Sequence, residues 1–135
     1  MELRQCGRSH LKLPALGVGC WAFGGGAYWG DCSQQDVDAV VRRSVELGLN
    51  YFDTAEAYND GRSEESLGQA LKGLPRDSLV IGTKVSPSNC YGEALPKHCE
   101  LSLAGAHSRA TARRAPRRRR TLHSRASERS RRNTA

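Results

Sequence analysis

Large apolar side chains stop abruptly near Leu103, and this limit decides how much of the 135-residue chain can form a hydrophobic core. All eight aromatic residues precede Leu103, and the only large apolar residue after it is Leu122. A segment of that composition buries too little surface to offset the entropy lost on ordering. We therefore predict one folded domain over residues 1–103 and a disordered, arginine-rich tail over residues 104–135.

Net charge changes at the same place. The whole chain carries a formal charge of +7, but residues 1–100 contain ten basic and thirteen acidic side chains. Residues 101–135 contain eleven arginines, no lysine and a single acid, Glu128. Because lysine codons are AT-rich and arginine, alanine and proline codons are GC-rich, the tail is typical of GC-rich DNA read out of frame. We interpret it as a shifted reading frame, a retained intron or a mispredicted gene end; the alternative is a genuine C-terminus.

Three short apolar runs divide the first part of the chain, at residues 16–20, 50–54 and 79–85. Each is short enough and apolar enough to form a buried strand. Two shorter extended pieces, residues 2–5 and 11–13, precede the first run. Because helical stretches separate the three runs, the pattern predicts a parallel sheet with right-handed crossovers and helices on its outer side.

Amphipathic stretches between these runs predict the helices. Residues 33–48 begin with a capping-box pair, Ser33 and Asp36, and a second helix begins at about Ser63. A third helix is predicted to start near Pro96, since proline suits the first turn. The first helix has valines at helical spacing on one face, at Val37, Val40, Val41 and Val45.

Two charged residues stand at predicted strand ends, Asp53 at the end of the second run and Lys84 near the end of the third. Neighbouring parallel strands end at one edge of a sheet, roughly 4.8 Å apart, so the carboxylate and the ammonium can pair. Tyr58 lies in the loop at that edge, where a lysine ammonium favours the phenolate form. Tyr58 could then donate a proton to a carbonyl oxygen while hydride reaches the carbon. The alternative is an ion pair with a purely structural role.

The residues around this trio resemble the aldo-keto reductase family. The string Asn-Tyr-Phe-Asp-Thr-Ala-Glu-Ala-Tyr at 50–58 is followed by Gly-Arg-Ser-Glu-Glu at 61–65 and Gly-Thr-Lys at 82–84. The run Leu-Gly-Val-Gly-Cys-Trp at 16–21 also resembles the family. The resemblance covers residues 1–103 and implies the N-terminal portion of a (β/α)8 barrel, with a β-hairpin and about three βα units. It implies NADPH-dependent reduction of aldehydes and ketones.

The resemblance also implies roles for single residues. Asp53, Tyr58 and Lys84 match three of the family's four catalytic residues, with Tyr58 as the general acid, Lys84 as its cationic neighbour and Asp53 as the anchor of Lys84. Cys20 and Trp21 would lie beside the nicotinamide and the pocket for a small carbonyl substrate. Asp53 is also placed among the cofactor-binding residues.

The fourth catalytic residue of the family is a histidine, expected near position 117, where this chain has Arg117. In such barrels the phosphate site is usually built from the loops after strands 7 and 8, beyond the three units found here. We therefore expect a truncated chain that is inactive alone and does not bind NADPH usefully. The alternatives are a non-enzymatic regulator that docks on a full-length reductase, and non-specific nucleic-acid binding through the arginine-rich tail.

Other sequence patterns give weaker evidence about function. The glycine-rich stretch at 17–26 fails the G-x-G-x-x-G spacing because Ala22 stands at its last position. The cysteines and histidines show no zinc spacing, so we expect no metal. Five scattered cysteines without an apolar N-terminal leader predict reduced thiols and a cytoplasmic location. No apolar run approaches 18 residues, so we expect no membrane span, and the oligomeric state stays open.

Overall fold

The computed structural model describes residues 1–106, as five short strands and three α-helices. The strands are β1 (Leu3–Gln5), β2 (Lys12–Pro14), β3 (Val18–Gly19), β4 (Tyr51–Asp53) and β5 (Val80–Gly82). The helices are α1 (Gln34–Glu46), α2 (Arg62–Ala70) and α3 (Ala94–Ala106), and single 3-10 turns occupy Tyr58–Gly61, Arg76–Ser78 and Pro87–Asn89. The predictions for Arg117 and for the tail from residue 107 onward lie outside the described residues.

The two extended pieces at the start of the chain form an antiparallel hairpin. Strand β1 pairs with β2 so that Leu3 lies opposite Pro14 and Gln5 opposite Lys12. The hairpin forms a separate two-stranded sheet, apart from the one that carries the strand ends discussed below.

The second sheet has the order β3-β4-β5 and is parallel throughout, as predicted. Its register sets Asp53, the last residue of β4, beside Gly19 of β3 and Gly82 of β5. Strand β5 ends at Gly82, three residues before the predicted end, because the chain beyond Gly82 bonds to helix α2 and to the loop after β4 instead. There the Thr83 hydroxyl donates to Glu64 at 2.5 Å, and the Glu56 N–H donates to the Lys84 main-chain oxygen at 3.2 Å.

Helix α1 begins with the predicted cap. The Ser33 hydroxyl oxygen accepts a hydrogen bond from the Asp36 N–H at 3.2 Å, and its own hydrogen is donated to the Asp36 carboxylate at 2.7 Å. Val37 and Val41 are buried, but Val40, predicted on the same face, is 46% exposed. The buried side chains of α1 are Val37, Val41 and Ser44, so its buried stripe is narrower than the valine spacing indicates.

The core lies between the parallel sheet and helices α1 and α2. It combines side chains from β4, from the segments beside β3 and β5, from α1 and from the α2 segment, namely Cys20, Phe23, Val37, Val41, Phe52, Leu67, Ala70, Leu71 and Leu79. Apolar burial of this kind stabilises a fold by about 25 cal/mol per Å² removed from water. The same core fixes where β3, β4 and β5 end.

Helix α3 packs closely on α2 through glycines. A Cβ on Gly68 would stand 2.2 Å from the Gly105 main-chain oxygen, so the two helices approach at backbone distance. Helix α3 starts at Ala94, with Pro96 in its first turn, where a missing N–H costs nothing. It continues through Ala106, which is 4% exposed, and so extends three residues past the predicted boundary at Leu103. Small residues suffice there because the contact is made by backbone.

Candidate active site

The predicted pair of charges forms at the carboxyl edge of the parallel sheet. Lys84 Nζ lies 2.8 Å from Asp53 Oδ1 and donates a second hydrogen bond, of 2.6 Å, to the Thr54 main-chain oxygen. The side chains of Lys84 and Asp53 are 48% and 44% exposed. The ammonium is therefore held by two oxygens while one side of it stays open to solvent.

Tyr58 lies against this pair. Lys84 Nζ is 5.0 Å from the centroid of the Tyr58 ring. Desolvation alone would lower the pKa of Lys84, but the hydrogen bond and the negative charge of Asp53, with a smaller contribution from Tyr58, raise it above its ordinary value. The structure thus brings Asp53, Tyr58 and Lys84 together, with the lysine held as a cation between the other two.

A sharp reversal of the chain places Tyr58 at this edge. The Tyr58 N–H donates to the Ala55 main-chain oxygen at 3.1 Å, which closes a turn just after β4. Three consecutive residues then adopt left-handed conformations, Asn59 at φ 52°, Asp60 at φ 57° and Gly61 at φ 86°. Asparagine, aspartate and glycine tolerate this region best, so the local sequence permits an immediate entry into α2.

Buried hydroxyls hold the ends of β3 and β4 to α2. The Ser63 hydroxyl donates to the Cys20 main-chain oxygen at 2.6 Å, so the Thr54 hydroxyl must be the donor in its 2.9 Å contact with Ser63. Thr54 and Ser63 are both fully buried. The strand ends are thereby held in register below the open edge.

Cys20 is a core residue. Its side chain is fully buried, and burial first, then the negative charge of Asp53, raise the pKa of the thiol to about 12. The whole residue is 0% exposed, and its main-chain oxygen accepts from Ser63, so Cys20 supports the strand edge from within the core. Its contact with a nicotinamide stays a prediction.

Trp21, the next residue, is 47% exposed and belongs to a cluster of four aromatic rings that we call the aromatic wall: Trp21, Tyr28, Trp29 and Tyr58. The Trp21 ring stacks on Tyr58 at 5.8 Å and on Tyr28 at 5.4 Å between centroids, and meets Trp29 edge-on at 5.3 Å. Sequence reasoning missed Tyr28 and Trp29. The sequence feature that could have revealed them is an aromatic pair inside the glycine-rich loop that follows β3.

A second group missed by sequence reasoning centres on Glu56. Its Oε1 accepts from the Ser86 N–H at 2.6 Å and from Asn89 at 2.9 Å, and its Oε2 lies 2.7 Å from His98 Nδ1. Desolvation would raise the pKa of Glu56, but these hydrogen bonds outweigh it and lower the pKa to about 2. The carboxylate therefore links the loops after β4 and β5 to α3.

This arrangement has close relatives among known proteins. The sequence model of the aldo/keto reductase family matches residues 15–124, most of the chain. The chain belongs to the aldo/keto reductase family. The match continues past Leu103, so the change in composition there does not mark its end.

One relative and two solved structures show how much of an aldo/keto reductase is present. An NADH-specific methylglyoxal reductase of Escherichia coli (strain K12) is 43% identical over 79 residues, 58% of this chain and 24% of that protein. A crystal structure of a thermostable aldo-keto reductase with the inhibitor epalrestat matches with a TM-score of 0.70 at 31% identity, over 78% of this chain and 39% of that one. An aldo-keto reductase from Klebsiella pneumoniae in complex with NADPH matches with a TM-score of 0.62 at 39% identity, over 70% and 32%.

The chain therefore spans well under half the length of the aldo/keto reductases that it matches. Its neighbours are (β/α)8 barrels, and the three parallel strands with outer helices correspond to one part of such a barrel. The predicted fold class is confirmed to that extent.

A groove of about 780 Å³ lies away from the three predicted catalytic residues of this aldo/keto reductase. It runs between α2 and α3, beside Glu56, Lys72, His98 and Ser102, and none of Asp53, Tyr58 or Lys84 lines it. The trio stands instead on an open surface.

Over residues 1–106 no group of three or more histidine, cysteine, aspartate or glutamate side chains is arranged to hold a metal ion. Within the same residues no helix has the length and apolarity needed to cross a membrane.

Proposed function

We propose that this site serves the nicotinamide-dependent reduction of small aldehydes and ketones, with Tyr58 as the proton donor. The observation that carries the proposal is the position of Lys84 Nζ, 2.8 Å from Asp53 Oδ1 and 5.0 Å from the centre of the Tyr58 ring. A structural ion pair needs no tyrosine at that place. A tyrosine that donates a proton to a carbonyl oxygen becomes a phenolate, and a neighbouring cation stabilises that anion.

Each residue has one task in the step. The Tyr58 hydroxyl donates its proton to the carbonyl oxygen of the substrate as the carbon accepts hydride, and the O–H bond of the product alcohol forms. The phenolate left on Tyr58 is stabilised by the Lys84 ammonium and recovers a proton from solvent. Asp53 and the Thr54 main-chain oxygen hold the ammonium in place, and the raised pKa of Lys84 keeps it charged throughout the neutral range.

A nicotinamide cofactor would supply the hydride. The residues that fit it are Asp53 and Trp21, since both are about half exposed at the edge where Tyr58 stands. Cys20 is fully buried and offers no exposed atom to a cofactor in the described structure. The Klebsiella pneumoniae neighbour was crystallised with NADPH and the Escherichia coli relative is named as NADH-specific, and both support a nicotinamide cofactor.

We further propose that the chain needs a complementary segment to act. It covers 24% of the length of the methylglyoxal reductase relative, and the expected fourth catalytic residue has no counterpart among residues 1–106. Alone, the chain would neither bind NADPH usefully nor reduce a carbonyl compound. A role as a regulator bound to a full-length reductase stays the alternative, and the cytoplasmic location stays a prediction.

The test is a complementation assay. The 135-residue chain is mixed with the part of the Escherichia coli relative that it lacks, and oxidation of NADPH and of NADH is followed with methylglyoxal as substrate. We expect turnover in the mixture, none with either part alone, and loss of turnover with Tyr58→Phe. The control is Tyr91→Phe, since Tyr91 is 75% exposed and belongs neither to the trio nor to the aromatic wall. Turnover that persists in Tyr58→Phe would refute the proposed role of the tyrosine.

A further inference from the structure

We propose that Asn59 is a positioning residue whose side-chain amide holds the loop after β3 and thereby sets the three loop rings of the aromatic wall, Trp21, Tyr28 and Trp29, against its fourth ring, Tyr58. The contact itself is independent of any reaction. Its consequence for turnover rests on the function proposed above.

The tether is a pair of hydrogen bonds from one amide group. Asn59 Nδ2 donates to the main-chain oxygen of Trp21 at 2.7 Å and to that of Phe23 at 2.9 Å. An asparagine amide has two N–H donors, so both are used. Over the described part of the chain, no other side chain forms a hydrogen bond to the backbone of residues 21–30.

The backbone conformation at Asn59 does not by itself explain the residue. Its φ of 52° and ψ of 41° are left-handed, and glycine or aspartate would adopt them as readily. Neither glycine nor an aspartate carboxylate can donate two hydrogen bonds. What asparagine adds at this position is the donor pair, directed at a loop 36 to 38 residues earlier in the chain.

The buried side chain of Phe23 anchors the start of the loop that receives these bonds, but the residues after it are rich in flexible glycine. Gly24, Gly25, Gly26 and Gly30 all have positive φ, and glycine loses more conformational freedom on ordering than other residues. The loop's own closure is the pair of main-chain hydrogen bonds between Gly26 and Gly30, at 2.9 and 2.7 Å. That closure shapes the tip of the loop but does not attach it to Tyr58, whereas the neighbouring Asn59 does.

Tryptophan spectroscopy reads this contact directly. Both tryptophans of the chain, Trp21 and Trp29, belong to the aromatic wall, and their rings are 5.3 Å apart. In the full chain, Asn59→Gly removes both donors and keeps the left-handed backbone, and Asn59→Asp keeps the shape without the donors. The matched control is Asp60→Gly, which changes the next left-handed residue and a side chain that forms no hydrogen bond within residues 1–106.

Losing two hydrogen bonds should raise the population of the detached loop by about tenfold or more. We therefore expect both Asn59 variants to weaken the tryptophan exciton signal in far-ultraviolet circular dichroism and to increase acrylamide quenching, with Asp60→Gly matching the unchanged chain. Equal spectra in all four proteins would overturn the proposal. Rapid exchange of the Asn59 Nδ2 protons with solvent, measured by NMR in the unchanged chain, would overturn it as well. Because this measurement needs no variant, it also tests the proposal if a variant fails to fold.

None of these measurements needs a nicotinamide or a carbonyl compound. The proposed tether and the proposed reaction can therefore be refuted independently of each other. In the complementation assay, the two Asn59 variants should raise KM for methylglyoxal more than they lower kcat, because the loop rings Trp21, Tyr28 and Trp29 are displaced while Tyr58 and Lys84 remain. If Tyr58→Phe leaves turnover intact while the Asn59 variants change the tryptophan signals, the reaction is wrong and the tether stands.

Discussion

The Lys84 ammonium lies 2.8 Å from the Asp53 carboxylate and so joins the ends of β4 and β5 in front of Tyr58. The two residues are 31 positions apart in the chain. They meet because parallel strands deliver their carboxyl ends to one edge of the sheet. Since both side chains are about half exposed, the pair serves to orient the lysine more than to stabilise the fold.

Removing the lysine charge should therefore separate activity from stability. We expect Lys84→Met to change the free energy of unfolding by no more than about 1 kcal/mol, measured by urea denaturation. Turnover in the complementation assay should fall by about 10²- to 10⁴-fold, the usual contribution of general acid catalysis. Lys72→Met, at an exposed position on the α2–α3 side, is the matched control and should leave both quantities unchanged. A large loss of stability in Lys84→Met would show that the pair is structural.

Glu56 should give the fold an acid-sensitive contact. Its pKa is lowered from 4.5 to about 2, so the stability it contributes is fully present above pH 4.5 and is lost as the pH falls toward 2. Glu56→Gln should lower the free energy of unfolding at pH 7 by about 1–3 kcal/mol, because three donors lose a charged acceptor. The difference from the unchanged chain should shrink between pH 4.5 and pH 2. Glu65→Gln, at an exposed position of α2, is the control, and a constant difference across that range would contradict the assignment.

Gly68 should resist the substitution that normally helps a helix. Alanine is favoured over glycine in helices by about 1 kcal/mol, but here the new Cβ would stand 2.2 Å from the Gly105 main-chain oxygen. We expect Gly68→Ala to lower the free energy of unfolding by about 1–3 kcal/mol, since backbone has to move to admit the methyl group. Gln69→Ala, exposed on the same helix, serves as the comparison in thermal denaturation. A Gly68→Ala protein as stable as the unchanged chain would mean that α3 does not pack there.

The Cys20 thiol should be unreactive in the folded chain. Burial raises its pKa to about 12, whereas Cys6, Cys90 and Cys99 are exposed. With a thiol reagent at pH 8, we expect Cys20 to be labelled only after denaturation. Cys20→Ala should reduce the number of thiols labelled in denaturant by one and leave the native count unchanged. Rapid native labelling that disappears in Cys20→Ala would place the thiol at the surface instead.

Much of the architecture follows from local chemistry. Ser33 and Asp36 mark the start of α1 because a hydroxyl and a carboxylate satisfy free N–H groups wherever a helix begins. The alternation of apolar runs and amphipathic stretches predicts a parallel sheet, and the motif around Asp53 and Tyr58 predicts the charged edge. Val40 shows the limit of this reasoning, since periodicity marks a face but not how wide a neighbour covers it.

The candidate site likewise contains some residues that the sequence predicts and others that it does not. Asp53, Tyr58 and Lys84 were within reach of sequence reasoning because each lies on or just after a strand whose end the parallel topology already places. Glu56 with His98, Asn59 with Trp21, and Gly68 with Gly105 were not, because each pair joins segments separated by 36 or more residues. The local sequence pattern does not indicate which distant side chain will contact which backbone atom. The packing of α2 and α3 on the sheet determines those contacts. Strand order and helix ends can thus be predicted from the sequence alone. The aromatic wall and the contacts of Glu56 form only when the folded core brings distant segments together.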